Sequence, residues 1–87
     1  MSERSYQTTE RDVRRLLTDV KGEFDPLELQ EAQTYVDAGE FGLAMECICT
    51  VVKKKRIPLM IATYTDLVDL ARDLDVDPEY WQELEPS

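Results

Sequence analysis

The feature that most constrains this chain is the stretch from residue 41 to residue 52, Phe-Gly-Leu-Ala-Met-Glu-Cys-Ile-Cys-Thr-Val-Val, in which Glu46 is the one charged residue. Leu43, Ala44, Cys47, Ile48, Val51 and Val52 keep the i, i+3, i+4 spacing of a helix. The apolar positions run around most of the cylinder, so the segment reads as a central helix touched on several sides. Its β-branched residues keep a strand open for 47–52. In a chain of 87 residues only one core is affordable, and every other element has to pack against this one.

The segments around it carry helix punctuation. Thr9 and Asp12 have capping-box spacing before the stripe Val13, Leu16, Leu17 and Val20, which predicts a helix over residues 9–21 with Gly22 as its C-cap. Asp25-Pro26-Leu27-Glu28 is a stronger start, with Asp25 as cap, Pro26 at the first helical position and Glu28 closing the box. Leu29, Ala32, Val36 and Tyr35 follow as its buried face, and Gly39 stops it in a left-handed conformation. Phe41 packs into the corner, while Gly42 and Ala44 let the central helix approach a neighbour closely. Pro58 holds Ile57 extended. A fourth helix begins between Leu59 and Thr63 and carries Met60, Tyr64, Leu67, Val68, Ala71 and Leu74 on one face. Asp77-Pro78 repeats the start signal before a short fifth helix with Tyr80, Trp81 and Leu84. The expected fold is all-α, a small bundle of four to five short helices around a buried central one. Residues 1–8 read as a flexible N-terminus, 9–84 as a single helical domain and 85–87 as a tail.

Charge narrows the function. The chain carries a net −9 and no histidine. Residues 22–52 hold seven acids and no base, and residues 57–87 hold eight acids and one base, with Lys53-Lys54-Lys55-Arg56 between them. Four bases in so acidic a chain gain little from nucleic-acid phosphates, and the run reads as a solvated helix end. A helix-turn-helix reading fails because the helix after Pro26 offers Glu28 and Glu31 and no base. Imidazole catalysis and histidine-containing metal sites are excluded within the chain. Cys47-x-Cys49 lacks redox spacing and reads as two small buried side chains, with no metal or cofactor expected. No glycine loop for phosphate and no calcium-loop pattern is present. No apolar run is long enough for a membrane span, and the N-terminus does not resemble a signal peptide, so a cytoplasmic protein without membrane contact is expected.

The string Gly39-Glu40-Phe41-Gly42-Leu43-Ala44-Met45-Glu46, followed by Cys49, Ile57-Pro58 and a helix ending before Trp81 and Leu84, resembles the MafI-like immunity proteins of bacterial polymorphic-toxin systems. The resemblance covers residues 9–84. Ile48, where the family pattern usually has leucine, and the lysines at 53–55 depart from that pattern. The resemblance implies a small helical protein, not an enzyme, that binds and neutralises a cognate toxin domain, often a nuclease, as a monomer or weak homo-oligomer. The matching residues identify a scaffold, with Gly39, Phe41, Gly42, Ala44, Ile48, Pro58 and Trp81 as structural positions. An acidic surface suits a basic partner. Glu28, Glu31, Asp66, Asp69, Asp73 and Tyr80 are the expected contacts, with Tyr35, Tyr64 and Trp81 as further aromatic anchors. If the second and fourth helices are neighbours, their acids merge into one negative face. A small helical adaptor or regulatory binding domain is the alternative.

Overall fold

The computed structural model describes residues 5–87 as four α-helices and two single 3-10 turns, with no strand among them. The helices are α1 (Tyr6–Val20), α2 (Pro26–Asp37), α3 (Phe41–Lys55) and α4 (Ile61–Asp73). The all-helical bundle expected from the sequence is the observed architecture, and residues 47–52 are helical.

α3 supplies the centre. Phe41, Ala44, Met45, Ile48, Cys49, Val51 and Val52 are all buried, more than any other helix contributes. α2 packs mainly on α3, α4 packs mainly on α1, and α1 also crosses α3. Cys47 is half-buried and Leu43 is 41% exposed, so one side of α3 still faces solvent.

α1 starts earlier than Thr9. Ser5 is the cap, its Oγ accepting the Thr8 N–H at 3.1 Å. Thr9 is buried and continues the apolar stripe one turn upstream. The extra turn carries Tyr6 to Phe41, with ring centroids 5.0 Å apart. Tyr6 to Thr8 are therefore helical, and the expected flexibility of residues 1–4 lies outside the described residues. Gly22 does not cap α1; it sits in the 3-10 turn Lys21–Glu23 without a positive φ.

α2 follows its sequence signals. Glu28 Oε1 accepts the Asp25 N–H at 2.9 Å and Pro26 occupies the first position. At its end Gly39 has φ +76, and the Gly39 and Glu40 N–H groups bond back to Val36 and Tyr35 carbonyls. That is a Schellman reversal, which favours glycine at the left-handed position. Gly42 differs from expectation. A Cβ there would meet nothing within 4 Å, so no close helix approach depends on it.

Two more helices end on left-handed residues that are not glycine, Arg56 (φ 54) and Asp75 (φ 57). In both, the next residue bonds back across the turn, Ile57 N–H to the Val52 carbonyl and Val76 N–H to the Ala71 carbonyl. Ile57 and Val76 are buried, which holds each reversal closed. Leu59 is buried as well, and Pro58 stays exposed at the corner between them.

α4 begins at Ile61 with Met60 as cap, inside the expected window from Leu59 to Thr63. Met60 and Ile61 are 76% and 70% exposed, against the expected burial of Met60. The core face is instead Leu67, Leu70 and Ala71, with Tyr64, Val68 and Leu74 half-buried beside it. The expected fifth helix is not an α-helix: residues 78–83 form a 3-10 turn and further turns. Asp77 caps the 3-10 turn Pro78–Tyr80, and the chain is then pinned by side chains. Trp81 Nε1 donates to the Val76 carbonyl at 3.0 Å, the Arg72 guanidinium lies over the indole ring, and Leu84 is buried. The Ser87 N–H bonds the Leu59 carbonyl at 2.7 Å.

Candidate functional site

Leu43, Cys47, Thr50 and Lys54 follow one another at helical spacing along the solvent side of α3. Glu31 and Tyr35 rise from α2 on one flank, and Tyr80 closes the other from the 3-10 turn. Together they form a shallow cleft of about 260 Å³. It shares Thr50, Lys54 and Tyr80 with a second cleft of about 500 Å³ bounded by Asp77 and Glu79. The two make one continuous groove over the outer face of α3.

Its electrostatics follow from which charges are already paired. Lys54 Nζ is 2.7 Å from Glu28 Oε2, and Lys53 Nζ is 3.0 Å from Glu83. Lys55 Nζ reaches Glu28 and Asp25 at 2.8 and 3.0 Å and donates to the Glu23 carbonyl. Lys53, Lys54 and Lys55 are thus not a freely solvated helix end, while Arg56 stays exposed. The three lysines stitch the start of α2 and the C-terminal segment to the end of α3. Glu31, Glu46, Asp77 and Glu79 are in no ion pair with Lys or Arg among the described residues.

Glu46 and Tyr80 meet across the groove. The charge of Glu46, burial and their hydrogen bond hold the Tyr80 phenol above its ordinary range. Burial, then Glu31, raises the Cys47 thiol to about 11, and burial, then Glu46, raises Cys49 to about 12. Both are protonated near neutral pH, so neither is an activated nucleophile. Among the described residues no group of three or more Cys, Asp or Glu is placed to hold a metal.

Glu28, Glu31 and Tyr80 are brought to this groove. Asp66, Asp69 and Asp73 are not; they lie exposed on α4. The expected merging of the two acidic sets required α2 and α4 to be neighbours, and each finds its main partner elsewhere, in α3 and α1. Glu28, an expected partner contact, is also engaged within the chain. Its oxygens cap α2 and bind Lys54 and Lys55, and the side chain is only 15% exposed. Tyr64 and Trp81 are half-buried against the core. Glu46 and Leu43 are groove residues that the sequence alone does not single out. The available signal was Glu46 itself, the lone charge in the apolar segment.

The two lysines, and then the Asp25 N–H, pull the Glu28 carboxyl down from 4.5 to about 2. A general acid needs the opposite shift. A carboxyl depressed on folding stabilises the native state above its unfolded value, and that stability is lost as pH falls from about 4.5 towards about 2. Glu28→Gln keeps an acceptor for the Asp25 N–H and removes the charge. Urea midpoints should therefore lie below the parent's at neutral pH, with the gap closing as the parent titrates through this window. A gap that persists unchanged at the acid end would contradict the ion-pair role.

No protein-family model, curated protein or solved structure matches the chain. No helix among the described residues is long and apolar enough to cross a membrane.

Proposed function

We propose that this chain is a non-catalytic inhibitor of the immunity type, which neutralises a basic toxin domain by covering it. The observation that carries this reading is the groove on α3, whose lysines are engaged within the chain while Glu31, Glu46, Asp77 and Glu79 line it. Carboxylates arranged beside tyrosines provide electrostatic attraction together with aromatic contact area. Asp66 and Asp69 on α4 add to the negative field at longer range. The resemblance to MafI-like immunity proteins points the same way.

The test is co-expression with a toxic domain encoded in the neighbouring reading frame, followed by purification of the complex. The expected results are restored growth and a complex whose association slows several-fold between about 50 and 300 mM salt. Failure of the unaltered chain to rescue growth or bind would overturn the reading. The adaptor alternative draws on the exposed Met60 and Ile61 beside Pro58. It predicts salt-insensitive binding that is lost on Met60→Ser with Ile61→Ser.

A further inference from the structure

We propose that the groove along α3 receives an amphipathic, arginine- or lysine-bearing helix of the partner, with one cation seated between Glu31 and Glu46. This rests on the inhibitor reading and specifies how the partner is held.

Shape is the first argument. The floor runs from Leu43 to Lys54 along one side of α3, a rise of roughly 16 Å, which matches three turns of a second helix laid beside it. α2 and the Pro78–Tyr80 turn flank this floor.

Apolar exposure is the second and is independent of charge. Leu27 and Leu43 are two of the five large hydrophobic side chains left exposed among the described residues, at 78% and 41%. Leu43 lines the groove itself, and Leu27 lines an adjoining cleft on α2 that shares Glu31 and Tyr35 with it. Leucines flanking a half-buried tyrosine suit the apolar stripe of an amphipathic helix.

Charge selects the occupant. Glu31, Glu46 and Cys47 line the same cleft, and neither carboxylate is in an ion pair with Lys or Arg among the described residues, so this part of the floor is negative and uncompensated. The nearby lysines are bonded to Glu28 and Glu83. Water is partly excluded at Cys47, which strengthens attraction for an incoming cation. Tyr35 and Tyr80 line the groove, and aromatic rings attract a guanidinium. An acidic or purely apolar helix leaves these carboxylates uncompensated.

The experiment is a titration of the full chain, labelled with nitrogen-15, by a blocked helical peptide of about 14 residues, long enough to cover the floor. The peptide carries leucines on one stripe flanked by arginines, and the control replaces each arginine by glutamate. Saturable shifts are expected at the amides of Leu43, Glu46, Cys47, Thr50 and Tyr80. Glu31→Lys with Glu46→Lys should weaken the dissociation constant by about tenfold or more, equivalent to about 1.4 kcal/mol. Glu31→Lys alone, at an exposed position, guards against disturbance of the Glu46–Tyr80 contact and should weaken it several-fold. Asp66→Lys with Asp69→Lys should stay within about twofold, because α4 acts only at long range. Shifts equally strong on α4, equal binding of the glutamate peptide, or unchanged affinity in the groove variants would overturn the assignment. In co-expression, groove variants that still rescue growth overturn the groove and leave the inhibitor reading intact. Failure of the unaltered chain to rescue overturns that reading, while the peptide titration still decides the groove.

Discussion

Ile48→Ala is expected to lower the unfolding free energy by about 2–5 kcal/mol. Ile48 is completely buried in the middle of α3, the helix that α2 packs on and α1 crosses. Truncation there removes apolar contacts on several sides at once. The surrounding helices cannot all relax inward, so a cavity adds to the lost transfer energy. A small domain has a total stability of about 5–15 kcal/mol, so the loss is a large fraction of the whole. Leu43→Ala is the control on the same helix. Its side chain is 41% exposed, and the expected cost is under about 1 kcal/mol. Urea melts of the two variants measure the contrast. Equal midpoints for Ile48→Ala and the parent would show that α3 is not the centre of the core.

Gly39→Ala is expected to cost about 1–2 kcal/mol from the backbone alone, since φ at this position is +76. A second cost is local. The added Cβ would lie 2.6 Å from the Tyr6 hydroxyl oxygen. That hydroxyl is the far end of an exposed side chain, so the ring can give way, but only by loosening its contact with Phe41. The two costs separate in a double-mutant cycle with Tyr6→Phe, which trims the clashing atom. Gly39→Ala should be milder in that background yet keep the left-handed backbone penalty. Complete disappearance of the cost would show that Tyr6 alone makes glycine necessary. Gly42→Ala should behave oppositely. Gly42 is helical with open space where a Cβ would stand, so a gain of about 0.5–1 kcal/mol is expected.

These substitutions also mark what was legible in the chain. The Asp25-Pro26-Leu27-Glu28 start and the Gly39 stop were readable because a cap or a left-handed turn acts on atoms a few residues away, and its chemistry is local. The buried nature of α3 was readable because so long a segment with a single charge has nowhere else to go. Local rules and structure part where a polar residue does an apolar residue's work, or an ordinary residue does a glycine's. Thr9 looked like a cap and is core, because Tyr6 needs one more turn to reach Phe41. Arg56 and Asp75 adopt left-handed conformations that no local rule assigns to them, because buried Ile57 and Val76 hold those turns closed.

The groove was half visible for the same reason. Glu28, Glu31 and Tyr80 stand out in the sequence as charges and an aromatic, and the densest aligned set of acids in the sequence is on α4. Surface charge is determined by composition, but its availability depends on which lysine stands opposite which acid. Lys54 meets Glu28 across 26 residues of sequence, and Lys53 meets Glu83 across 30. Pairings of that range are made only when α2 and the C-terminal segment have packed onto α3. The sequence by itself determined an acidic, all-helical chain built around residues 41–52. Tertiary packing decided which carboxylates remain available and placed Glu46 opposite Tyr80, because helix contacts distant in sequence set which side chains face one another.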